Sequence, residues 1–169
     1  WVAMAERTMD LNTFGLEWNA PQTTAFGAIF VILFSLPFAW LWPKLDKRGL
    51  NPSYPAKFAW GLVFCGLAFG ILSWAAGNPG ETGLVSLWWM ILAYAVLVLG
   101  EMVLSPIGLA AVTSLSIKRA VGLMMGAWFL FSAFGEIIAG RMGTWASIEP
   151  NADGSFDVAG SLAVYSSVF

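Results

Sequence analysis

Four apolar stretches of about twenty residues each, separated by short polar breaks, leave this chain few folds to choose from. They run from Thr23 to Trp42, from Ala56 to Ala76, from Leu87 to Leu109 and from Ala120 to Gly140. A helix needs roughly 20 mainly apolar residues to cross about 30 Å of hydrocarbon, so each stretch predicts a membrane span. Trp1 to Leu11 reads as the tail of an earlier span and Gly160 to Phe169 as the head of a later one. The expected architecture is therefore all-α, a single transmembrane bundle over residues 1–169 that is cut inside helices at both ends. Composition points the same way. Of the residues 59% are hydrophobic and 11% charged, whereas soluble domains carry about 25% charged residues. Ten Trp accompany thirteen Phe, and Trp gathers where spans meet the headgroups.

Charge along the loops supplies a topology. The connection Pro43 to Pro55 holds Lys44, Asp46, Lys47 and Arg48, with Lys57 just beyond, and Thr113 to Arg119 ends in Lys118 and Arg119. The other connections are acidic or neutral: Asp10 and Glu17, then Glu81, then Glu149, Asp153 and Asp157. Basic and acidic loops alternate. Because Lys and Arg collect on the cytoplasmic side, loops 43–55 and 113–119 are expected to face the cytoplasm from a multi-pass protein of the cytoplasmic (inner) membrane. The first residues lack the basic, apolar and small-residue order of a signal peptide.

Several function classes are excluded. A net charge of −2 offers nothing to a nucleic acid. The absence of His removes the commonest metal ligand and the usual neutral-pH proton shuttle. Cys65 lies in an apolar run and reads as a small buried hydrophobe. With no nucleophile–base set and no metal-ligand cluster, neither an enzyme nor a cofactor is expected.

Within the spans a few residues break the apolar pattern. Glu101 lies mid-span between apolar neighbours. An ionisable group at that depth costs at least about 2.5 kcal/mol, so it normally faces a cavity or a partner. A carboxyl taken out of water can also carry a proton near neutral pH. Ser105 follows one turn later on the same face, and Pro106 comes next, a combination that suits a binding site at a discontinuous helix. Trp128 sits mid-span, where its indole N–H needs a partner, and Ser132 is one turn on. Glu136 is a second intramembrane acid, poorly phased to pair with Arg141 five residues later. Glu6 and Arg7 are adjacent near the start. Gly66 with Gly70 and Gly122 with Gly126 have the four-residue spacing that lets helices approach closely, or are ordinary membrane-helix glycines. Pro37 and Pro106 should bend their spans.

The run Gly100-Glu101-Met102-Val103-Leu104-Ser105-Pro106-Ile107-Gly108-Leu109 resembles the tenth-helix signature of the proton-dependent oligopeptide transporter family, part of the major facilitator superfamily. Met125-Gly126-Ala127-Trp128-Phe129-Leu130 resembles its eleventh-helix motif. Pro52, Pro55, Lys57, Phe58, Gly61 and Leu62 resemble the start of its ninth helix, and Phe38-Ala39-Trp40-Leu41-Trp42 the end of its eighth. The four matches come in order and cover most of the chain.

The resemblance implies a fold and a function. The fold is the C-terminal six-helix bundle of such a transporter, from the end of helix seven to the start of helix twelve. The function is proton-driven symport of di- and tripeptides by alternating access, with small peptides, protons, the lipid bilayer and an N-terminal half of the same protein as partners. By position, Glu101 matches the acid that meets the peptide amino terminus, and it is also a proton-coupling candidate. Ser105, Trp128, Phe129 and Ser132 match cavity-lining positions. Three positions depart from the pattern. Gly27 stands where the family often has a substrate-contacting Asn, and Glu136 where many members carry Asn. The helix-seven acid, normally followed by Gln, corresponds to Glu6 before Arg7, although an ungapped match from Trp1 puts it at Ala5. Two alternatives remain open on the residues alone: a transporter of the same fold for another solute such as nitrate or a drug, and a non-transporting structural membrane subunit.

Overall fold

A computed structural model describes residues 1–13, 15–145 and 156–168. Glu149 and Asp153, counted above among the acidic loop residues, lie outside the described residues, as does Phe169 at the end of the last apolar run. Six helices dominate: α1 (Val2–Thr8), α2 (Ala25–Lys47), α3 (Tyr54–Gly77), α4 (Leu87–Leu115), α5 (Val121–Trp145) and α6 (Val158–Val168). Among the described residues four segments are long and apolar enough to cross a membrane: Ala20–Lys47, Tyr54–Gly77, Leu87–Leu115 and Val121–Arg141. At 1.5 Å per residue, α3 is about 36 Å long, more than the hydrocarbon thickness. Large side chains on their outer faces stand exposed, among them Leu36 and Trp40 on α2, Trp60 and Leu62 on α3, and Phe131 and Ile137 on α5. Lipid rather than water suits such surfaces.

The helix ends follow local chemistry. A 3-10 turn, Ala20–Thr24, precedes α2 with Pro21 in its first turn, and the Asn19 N–H donates to Gln22 Oε1 at 2.9 Å, forming a capping box. The α2 helix runs through Pro37 and Pro43 to Lys47. The apolar span Thr23 to Trp42 thus ends inside a longer helix. A single proline removes one backbone hydrogen bond, and Lys44 and Lys47 in the last turn favour the negative helix terminus. Likewise α4 continues through Pro106 to Leu115, so both basic loops are shorter than expected.

The N-terminal segment departs further from expectation. Helix α1 stops at Thr8, and the chain turns extended as β1 (Met9–Asp10), so the helical tail does not reach Leu11. A small hairpin of β2 (Asn12–Thr13) and β3 (Leu16–Glu17) follows, with Gly15 at φ +70, a conformation glycine adopts without steric cost. Strand β1 pairs in parallel with β4 (Val85–Ser86), in register Met9 to Val85, which fastens the end of α1 to the start of α4.

The core is gathered at this end of the bundle. Met4 and Ala5 of α1, Leu72, Ala75 and Ala76 of α3, Leu87, Met90 and Ala93 of α4, and Leu162 and Tyr165 of α6 form one buried cluster with Met9 and Val85. Helix α6 is held on α3 by Ser73 Oγ, which donates to the Ser166 carbonyl at 2.8 Å. At mid-length, α3 and α4 close on each other through glycine. A Cβ at Gly100 would lie 2.8 Å from the Gly61 carbonyl oxygen and 3.1 Å from both Cys65 Sγ and Phe64 Cβ. Gly66, Gly70, Gly122 and Gly126, the pairs singled out by spacing, have nothing within 4 Å of the corresponding point. Spacing marks where a close approach is permitted; the face that meets a neighbour decides where it happens.

Candidate functional site

The candidate site centres on one stripe of α4. Tyr94, Glu101 and Gly108 are seven residues apart, so they lie on nearly one line down the helix, about 10.5 Å between successive members. Both ends of the stripe are covered. At one end the Tyr94 ring meets the Trp1 ring with centroids 4.7 Å apart, and a Cβ at Gly27 would be 3.5 Å from Tyr94 Cδ1. At the other end the indole of Trp128 lies over Gly108, where an added Cβ would come within 2.6 Å of Cζ2. Phe58 of α3 completes that end, its ring centroid 6.4 Å from the Trp128 indole in an edge-on arrangement.

Between the two aromatic covers the stripe is bare. Glu101 is exposed there, and so is Ser105 one turn on, while Gly100 is buried against α3 and Val103 is buried on the side that faces α2 and α3. Helix α4 packs on α2, α3 and α5, which makes it the central helix of the described bundle. Its uncovered window is thus framed by protein above and below rather than lying on an outer flank. A carboxylate and a hydroxyl 40° apart around such a window, on the usual 100° per residue, can together hold a cationic hydrogen-bond donor.

The remaining candidates are placed around this window or away from it. Trp128 is half-buried and bridges α3, α4 and α5. Below it, Trp128, Phe58, Gly108, Ala111 and Met124 line an apolar cavity of about 510 Å³ that runs along α4 and α5. Phe129 is 59% exposed, so it presents a free aromatic face. Ser132 is exposed, and its Oγ donates to the Trp128 carbonyl at 3.1 Å. Glu136 and Arg141 are both exposed farther along α5. Beyond Trp128, α5 stands off the rest of the described helices.

Glu6 is exposed on α1, whereas Ala5 is fully buried in the core. Of the two register choices, position 5 is thus closed off by the core and position 6 is open. Its neighbour Arg7 turns the other way, toward α6: the guanidinium lies 4.3 Å from the Phe156 ring and Nη1 donates to Tyr165 Oη at 3.5 Å. Among the described residues no group of three or more His, Cys, Asp or Glu is placed to hold a metal ion.

Sequence reasoning missed two parts of the site. Tyr94 was not singled out, although its seven-residue spacing from Glu101 was the available signal. Gly27 was noted only as a lost polar contact; it also provides the flat surface on which Tyr94 rests. The packing at Gly108 is testable. Gly108→Ala forces the Trp128 ring to shift, and overpacking of this kind costs about 1–3 kcal/mol. The expected result is a lower apparent melting temperature of the full-length protein in detergent, with Trp128→Leu in the Gly108→Ala background restoring most of it.

Known proteins agree with this architecture. A family model described as the POT family matches residues 1–156. The chain is 35% identical over 165 residues to dipeptide and tripeptide permease A of Yersinia pestis, covering 98% of this chain and 32% of that protein. It is 38% identical over 159 residues to dipeptide and tripeptide permease B of Aliivibrio fischeri strain MJ11, covering 92% and 31%. A crystal structure of a peptide transporter POT with sulfate superposes with TM-score 0.79 at 29% identity over 99% of this chain and 31% of the other. A variant of a POT peptide transporter in complex with alafosfalin gives TM-score 0.79 at 30% identity, covering 99% and 32%. The chain therefore spans about a third of the length of the proteins it matches. Helices, match and superposition together make this a multi-pass membrane segment with the fold of that part of a major facilitator transporter, and the chain belongs to the POT family.

Proposed function

We propose that the full-length protein is a proton-coupled symporter of di- and tripeptides working by alternating access, and that the Glu101 window is part of its binding site. The observation that carries this reading is the bare carboxylate on the central helix, between aromatic covers at Tyr94 and Trp128. A peptide has what such a window asks for: an ammonium for Glu101, polar backbone groups for Ser105, and side chains of variable shape for Trp128 and Phe129. Alternating access places substrate near the midplane between two helical halves. Glu101 ionised attracts the ammonium, and Glu101 protonated releases it, so a proton changes which contact between halves is favourable. Glu6, exposed at the edge of α1, serves as the second proton site. Ser132 lends its place on the α5 face to the cavity rather than its hydroxyl, which is already engaged by the Trp128 carbonyl. The protein works in the cytoplasmic membrane with the Lys44–Lys57 and Lys118–Arg119 loops inside.

Uptake into proteoliposomes of the full-length protein tests this. An inward proton gradient is expected to drive accumulation of a dipeptide, and N-acetylation of that dipeptide, which removes the ammonium, to abolish it. Equal uptake of the acetylated peptide would remove Glu101 from recognition. Flux of nitrate that dipeptides fail to compete with would favour another solute, and no flux at all a structural subunit.

A further inference from the structure

The ends of α2 and α3 that carry the basic loop bring two donors together, Lys57 and Trp42, apart from the Glu101 window. Lys57, in the first turn of α3, is 6% exposed, yet its Nζ meets only the face of an aromatic ring, 4.2 Å from the centroid of Trp42 on α2. The Trp42 indole N–H is itself buried and has no hydrogen-bond partner. Both residues line one recess of about 240 Å³, walled by Phe38, Pro52, Trp60 and Phe64. An ammonium on a largely buried lysine, with no carboxylate beside it among the described residues, favours an anion, and a buried N–H favours an acceptor. Here two donors share a recess and no carboxylate from the described residues joins them.

From this we infer that the recess binds the phosphate of an anionic phospholipid headgroup, with Lys57 and Trp42 as its donors. Depth supports a lipid. Lys57 and Trp42 lie within about a turn and a half of the helix ends, the level at which Trp meets the headgroups. The end of α2 adds Lys44, Lys47 and Arg48 against a single acid, Asp46, whose carboxylate accepts from Asn51 Nδ2 at 3.0 Å. Such juxtamembrane clusters concentrate anionic lipids, and basic pockets between spans seat their headgroups. The apolar walls suit the glycerol and upper acyl chain and offer nothing to a free, fully hydrated phosphate. The inference rests on membrane residence alone and stands or falls independently of the peptide reading.

The test uses delipidated full-length protein in detergent. Phosphatidylglycerol is expected to raise its apparent melting temperature and to persist as an adduct in native mass spectra, whereas phosphatidylcholine and inorganic phosphate do neither. Trp42→Phe keeps a ring face for Lys57 and deletes only the N–H, and it should weaken phosphatidylglycerol binding about tenfold. Lys57→Met, which keeps the apolar stem, should erase the preference for phosphatidylglycerol over phosphatidylcholine, and Lys57→Arg should retain it. Equal response to the two lipids, or saturation of the shift by inorganic phosphate, overturns the inference. So does a phosphatidylglycerol response unchanged in Trp42→Phe and Lys57→Met, which would leave a carboxylate elsewhere in the full-length chain as the partner of Lys57.

Discussion

Glu101→Gln in the full-length protein is expected to lower proton-driven dipeptide uptake at least tenfold while leaving membrane expression and melting temperature unchanged. The two halves of this expectation have separate grounds. Glutamine has nearly the shape of glutamate, and position 101 is exposed in the window of α4, so substitution there disturbs no packing; exposed sites away from special features usually stay within about 0.5 kcal/mol. What is lost is the charge. A hydrogen bond to an ionised group contributes about 1.5–3 kcal/mol, which corresponds to about 10–150-fold in affinity for the peptide ammonium. The amide also cannot take up or release a proton. Comparing gradient-driven uptake with counterflow exchange at equal pH separates these roles. Loss of both assigns Glu101 to the peptide ammonium as well as to the proton, and loss of gradient-driven uptake alone assigns it to the proton only. Full activity in both assays would exclude the proposed site.

Gly100→Val is expected to be the most damaging packing substitution along α4. The new side chain would start 2.8 Å from a backbone oxygen, that of Gly61, with Cys65 Sγ and Phe64 Cβ at 3.1 Å. A carbonyl in a helix has no rotamer by which to retreat, so the two helices must separate along their shared length. Overpacking costs about 1–3 kcal/mol in well-packed cores, occasionally more. Close approach through small residues is a main source of attraction between membrane helices, so the separation also forfeits contacts around it. Gly61→Ala provides the contrast. Its Cβ would press on Cγ and Cδ1 of the Leu104 side chain, which can turn about χ1, and would lie 3.2 Å from the Gly100 carbonyl oxygen, a looser backbone contact than the 2.8 Å at Gly100. The expected order of apparent melting temperatures is wild type, then Gly61→Ala, then Gly100→Ala, then Gly100→Val. Cys65→Ala should rescue Gly100→Ala only in part, because it relieves the sulfur and leaves the carbonyl in place. A Gly100→Val protein as stable as wild type would show that α3 and α4 do not meet there.

Long-range order was readable from the chain because lipid imposes a length. Spans at 56–76 and 87–109 became α3 and α4 with starts within two residues, since twenty apolar residues in a row have few other uses. The same logic found Glu101, whose charge is conspicuous among apolar neighbours. It could not find β1 and β4, whose two residues each are too few to show an alternation, nor foresee that α1 would end at Thr8 to let Met9 pair with Val85. The helices run on past the apolar spans, to Lys47 and Leu115, because a helix continues as long as its carbonyls find partners, whether or not the residues stay apolar. Glycines were the hardest to interpret. Gly66 and Gly70 had the right spacing and meet open space, while Gly61, Gly100 and Gly108, which had no such partner in sequence, carry the contacts. Contact depends on which face meets a neighbour, and that is a property of the assembled bundle.

Buried cluster, parallel strand pair and the Ser73–Ser166 tie all fall at one end of the helices. That end is a clamped root for α1, α3, α4 and α6, whereas α5 is held near its start, by Trp128 on Gly108 and Phe58, and its second half is exposed. A tilt of about 10° about the Trp128 contact carries the far end of that second half, about 25 Å away, through roughly 4 Å, with no rearrangement of the clamped side chains. Travel of α5 thus requires no loosening of the root.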